Sequence, residues 1–120
     1  MSYQKIIDLV RRVADSTGSG ALDWAETEDV DVYQVSFTNY SLRVGKSLSR
    51  IGHGDEFSIE ILDSMGDVVD RISDEDPEDD ALRMDLYSLI KGIFESARRR
   101  AKGVDDAIDS IMLDLDILSF

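Results

Sequence analysis

The chain has 120 residues, of which 42% are hydrophobic, so it has room for one domain with a buried core. Twenty-six acids against 13 bases give a formal charge of −13, which opposes binding to nucleic acid or to an anionic membrane. With no cysteine and a single histidine, disulfides, thiolate metal sites, cysteine nucleophiles and histidine-rich metal sites are excluded within one chain.

The first predicted element is a helix. Tyr3, Ile6, Ile7, Val10, Val13 and Ala14 recur at three- and four-residue steps. The run Ser16-Thr17-Gly18-Ser19-Gly20 stops it. The opening residues Met1-Ser2-Tyr3-Gln4-Lys5 lack the apolar core of a signal peptide, and no apolar run approaches the ~20 residues that span a bilayer. A cytoplasmic location without membrane contact is expected. Trp24 sits in a polar connection and is read as a core anchor.

From about Asp31 the period changes to two. Four strands are predicted around Tyr33–Phe37, Tyr40–Val44, Phe57–Ile61 and Val68–Ile72. Their short connections favour an antiparallel meander with one polar and one apolar face. Gly66, in the turn from Asp63 to Asp67, stands where a left-handed residue is wanted. His53, between Gly52 and Gly54, is read as an exposed turn residue rather than a proton shuttle or ligand.

A long helix follows, predicted over Pro77–Lys102 with Asp76 as its cap, about 39 Å long at 1.5 Å per residue. Leu82, Leu86, Leu89, Ile90, Ile93 and Ala97 form its apolar stripe, and Gly92 is a point where it could bend. Gly103 ends it, and Asp105 is expected to cap a short third helix. There Ile108, Ile111, Met112 and Leu115 share a face, while Leu113, Ile117, Leu118 and Phe120 do not all fit on it. The expected fold is α+β: a single domain over residues 1–120, with an N-terminal helix, a four-stranded antiparallel meander, and the long and short helices packed on one sheet face.

Charge is segregated along the chain. Residues 60–80 carry −9 and residues 104–120 carry −5, whereas residues 81–103 carry +4. Asp67, Asp70, Asp74, Glu75, Asp76, Glu78, Asp79 and Asp80 form a candidate surface for a basic protein partner, since acidic clusters steer cationic proteins. The simpler account of this run is solubility and complementarity to the helix dipole. Arg98, Arg99 and Arg100 splay around a helix at 100° per residue and do not build a nucleic-acid face.

Motifs for nucleophilic and phosphate chemistry are absent, whereas spacing does not test a carboxylate pair among so many acids. There is no Gly-x-Ser-x-Gly elbow and no phosphate-binding glycine loop. Asp63-Ser64-Met65-Gly66-Asp67 puts glycine fourth, not sixth as a calcium loop requires. No cofactor or metal is therefore expected. The segments FSIEILDSMGDVVD (57–70) and ARRRAKGVDDAID (97–109) resemble, over roughly residues 33–115, a group of small bacterial proteins that carries no assigned activity. The resemblance implies a bacterial origin and the α+β layout, and no catalytic residue follows from it.

The sequence thus points to a non-enzymatic acidic protein–protein interaction module, a homodimer paired through Leu113, Ile117, Leu118 and Phe120. The alternatives are a dedicated binder of a basic protein, similar in composition to immunity proteins and secretion chaperones, and a carboxylate-based enzyme. Leu86→Asp is expected to put an unpaired charge into the long helix's apolar stripe and to destabilise the fold by several kcal/mol. A melting temperature equal to that of the unmodified chain would place Leu86 on the solvent face instead.

Overall fold

Apolar spacing at three and four residues makes the first element a helix. In the computed structural model of the chain, which describes residues 2–52 and 54–118, it is α1 (Ser2–Gly18). Ile6, Ile7, Val10 and Val13 are buried along its inner stripe. Gly20, at φ 79°, turns the chain away, and the N–H groups of Ser19, Gly20 and Ala21 satisfy carbonyls of the last turn. Trp24 is only 2% exposed, and its indole N–H donates to Thr17 Oγ1 at 3.1 Å. It is the core anchor expected, and it fastens the loop after α1 to that helix.

Five strands follow: β1 (Ala25–Glu26), β2 (Val32–Ser36), β3 (Ser41–Leu48), β4 (Asp55–Leu62) and β5 (Val68–Ser73). They form one antiparallel sheet in the order β1-β2-β3-β4-β5. The meander expected from sequence is present with one more strand. β1 has two residues, pairing Ala25 with Gln34 and Glu26 with Tyr33. Two residues carry no readable alternation, so only the tertiary pairing reveals it. The β4–β5 turn places Gly66 at φ 87°, and Asp63 Oδ1 accepts the N–H groups of Met65 and Asp67.

The two sheet faces separate by residue parity. Tyr33, Val35, Leu42, Val44, Phe57, Ile59 and Ile72 are buried on the inner face. On the outer face the register lines up Gln34, Arg43, Glu60 and Arg71 across four strands. Arg43 Nε donates to Gln34 Oε1 at 2.7 Å, and Arg71 lies 3.8 Å from Glu60. This cross-strand polar row is the wet face that the alternation implied.

The long helix, α2 (Asp80–Lys102), crosses the inner face and touches β1, β2, β3 and β4 as well as α1. Leu86, Ile90, Ile93, Phe94 and Ala97 are buried along it. Phe94 is central: its ring centroid lies 5.5 Å from that of Tyr33 and 5.6 Å from that of Phe57. The helix runs unbroken through Gly92. It starts later than expected, because Asp79 is the cap and accepts from the Ala81 N–H. Asp76 is occupied elsewhere: its carboxylate accepts from the Ser73 N–H at 2.8 Å and from Arg50 at 3.2 Å.

The last helix departs from the expected layout. Gly103 closes α2 in a left-handed conformation (φ 63°), and α3 (Val104–Leu118) begins at the next residue, with Asp105 in its first turn rather than as its cap. It does not pack on the sheet: α2 is the element it meets, and no residue of α3 is buried. The molecule is accordingly elongated, 62 × 35 × 25 Å. No helix among the described residues is long and apolar enough to cross a membrane.

Phe94→Ala removes the ring that joins α2 to β2 and β4. A loss of about 3–5 kcal/mol is expected, as for other buried aromatic truncations, and equilibrium urea unfolding followed by Trp24 fluorescence measures it.

Candidate functional site

The acidic segment that dominates the sequence divides into two populations. Asp67, Asp70, Glu78, Asp79 and Asp80 are exposed, Asp79 serving as the α2 cap and Asp80 lying 3.7 Å from Arg83. Asp74, Glu75 and Asp76 instead belong to an intramolecular clasp at one end of the sheet. Its hub is Arg50, in the loop between β3 and β4.

Arg50 Nη2 donates to Glu56 Oε2 at 2.6 Å, and its Nε donates to Glu56 Oε1 at 3.1 Å. This fork-on-carboxylate geometry suits a guanidinium. The same Nη2 reaches Asp76 Oδ1 and Ser73 Oγ, both at 3.2 Å. Glu75 accepts from the Ser49 hydroxyl at 2.6 Å and from the Arg50 N–H at 3.1 Å. Asp74 Oδ1 accepts from the Phe57 N–H at 2.7 Å. The clasp therefore ties the β3–β4 loop, the start of β4 and the end of β5 into one corner.

The carboxylates of this corner are engaged by hydrogen bonds within the chain. Burial pushes the Asp74 carboxyl above the ordinary carboxylate value. The Phe57 N–H opposes that shift, and the nearby Glu75 and Glu56 charges reinforce it. A cleft of about 450 Å³ beside the clasp is lined by Asp74, Glu75 and Tyr87 among others. Both carboxylates, however, are held, Asp74 by the Phe57 N–H and Glu75 by Ser49 and Arg50. Among the described residues no group of three or more acidic side chains is arranged to hold a metal ion. His53 lies outside the described residues.

A second site is α3. Ile108, Ile111, Met112, Leu113, Leu115, Ile117 and Leu118 are between 43% and 77% exposed. At 100° per residue, Ile108, Ile111, Met112, Leu115 and Leu118 form one stripe, while Leu113 and Ile117 lie on the opposite side. Three of the residues singled out for self-association are thus exposed on the projecting helix, but they do not share one face; Phe120 lies outside the described residues. The broader stripe was legible in sequence as a helix face. That it is left open to solvent was not, because spacing does not say what lies opposite a face. Comparison with protein-family models, curated proteins and solved structures finds no match.

The raised Asp74 pKa makes a pH prediction with a defined sign. A carboxyl that binds its proton more tightly in the folded state contributes most below its unfolded pKa. That contribution is lost as pH rises from 3.8 through the raised value. Asp74→Asn keeps an acceptor for the Phe57 N–H without the charge. Its melting temperature relative to the unmodified chain is expected to be most favourable near neutral pH and to fall as pH is lowered towards about 3.8. Paired thermal melts across that range check this; a pH-independent difference would remove Asp74 as the titrating group.

Proposed function

We propose that this chain is a non-enzymatic interaction module that self-associates through α3. One observation carries the reading: a helix of 15 residues exposes seven large apolar side chains and buries none. A helix that leaves an apolar stripe and further large apolar side chains open to water gains by being covered. The convergent carboxylates support the non-enzymatic part, since Arg50, Ser49 and backbone N–H groups engage them.

A second copy is the occupant that apolar burial allows, with charge opposing rather than driving the contact. α3 carries Asp105, Asp106, Asp109, Asp114 and Asp116 and no base, so it is unsuited to an anionic surface. Two copies of a chain with charge −13 repel at long range, and salt screens that repulsion without weakening apolar burial. The second reading, docking of a basic protein, rests on the exposed acids Asp67, Asp70, Glu78 and Asp80, and it has the opposite salt dependence.

Sedimentation at tens of micromolar, in low and high salt, separates the readings. A dimer that persists or tightens with salt is expected. Ile111→Asp with Leu115→Asp is expected to yield monomers that still fold cooperatively, since neither side chain contributes to the domain core. A monomeric unmodified chain, together with a salt-sensitive basic partner, would replace self-association by the second reading.

A further inference from the structure

The inner face of the sheet is not fully covered. Where α1 diverges from the β2–β3 hairpin, a groove of about 580 Å³ opens, walled by Leu9, Val13 and Leu22 on one side and by Phe37, Tyr40 and Ile61 on the other. Phe37 and Tyr40 are 50% and 52% exposed, unusual for aromatic rings at the edge of a core. A second depression, of about 410 Å³, continues the groove along α1 through the shared residues Leu9, Arg12 and Ile61.

The groove's charge sets it apart on so acidic a chain. Among the described residues, Arg12 is the only charged one lining its larger part. Lys5 follows in the smaller part, where Asp8 and Asp70 also lie. Neither Lys5 nor Arg12 has an ion-pair partner among the described residues, whereas Arg11 one position away pairs with Asp85. The larger part of the groove therefore offers apolar walls and one guanidinium, Arg12, that makes no ion pair within the chain's described residues. α3 offers the complement: an apolar stripe of Ile108, Ile111, Met112 and Leu115, with carboxylates beside it.

The geometry points to α3 of a second copy as the occupant of this groove, each chain of the dimer laying its α3 between α1 and the β2–β3 hairpin of the other. This rests on the self-association proposed above and specifies its mode. The chain's own α3 is a poor occupant. A single residue, Gly103, separates it from α2, whereas two antiparallel helices need a connection of about 2–5 residues. Helix-in-groove docking reads anchors at i, i+3, i+4 and i+7, the spacing of Ile108, Ile111, Met112 and Leu115. In a two-fold dimer the contact forms twice, so a modest groove is used reciprocally.

The absence of cysteine makes the test direct. Tyr40→Cys and Leu115→Cys replace exposed side chains in the groove and on α3. The two single variants, one carrying a size tag, are mixed and oxidised. The expected product is a disulfide-linked heterodimer that joins position 40 of one variant to position 115 of the other, with little linkage of either variant to itself. In parallel, Phe37→Asp with Tyr40→Asp, checked by its melting temperature for an intact fold, is expected to weaken dimerisation by about tenfold or more. Leu115→Cys linking chiefly to itself, or a dimer untouched by the Phe37 and Tyr40 changes, would overturn groove docking in favour of direct α3–α3 pairing. A monomeric unmodified chain would instead overturn self-association itself.

Discussion

Leu86, Ile90, Ile93, Phe94 and Ala97 of α2 lie between α1 and the inner face of the sheet, and Phe94 meets aromatic rings from two strands. Removing apolar surface from water is the main driving force for such a domain, and this one helix face concentrates it. Without that seam neither α1 nor the meander has anything to close against. α1 is held beside α2 rather than forming an independent layer. The charged end of α2 serves the same arrangement: Arg100 reaches Asp23 at 3.3 Å, and Lys102 reaches Glu26 at 2.8 Å, pinning the loop and short strand that follow α1.

The same helix explains why α3 is exposed. α2 ends where the sheet ends, at β1, and Gly103 redirects the chain by a single left-handed residue. Beyond that point there is no sheet left to cover a helix. The apolar stripe of α3 is therefore presented, in contrast to that of α2, although both have helical spacing and comparable side chains. An apolar helix presented to solvent, together with a partly open groove between α1 and the β2–β3 hairpin, is the physical basis on which assembly is proposed for this architecture.

The acidic character has two separate physical roles. Within the clasp, Glu56, Asp74, Glu75 and Asp76 are engaged locally by Arg50 or by backbone N–H groups and shape the corner between β3, β4 and β5. A buried carboxylate without such partners would be strongly destabilising, so the arginine is as necessary to the corner as the acids are. Outside the clasp the remaining carboxylates repel other polyanions and discourage indiscriminate contact by the exposed apolar helix.

Near-neighbour signals along the chain were enough to mark the local elements. Three-and-four spacing marked α1 and α2, alternation marked β2 to β4, the return from the Gly66 turn marked β5, and glycines at 20, 66 and 103 marked the turns, because such signals arise between residues a few positions apart. They also picked out Trp24 as an anchor and the apolar surplus of α3. Long-range packing settled what remained: the pairing of β1, the shift of the α2 cap from Asp76 to Asp79, the sorting of the acids into clasp and surface, and the failure of α3 to meet the sheet. Each of these depends on what a distant segment places opposite a side chain, and neither periodicity nor composition records that.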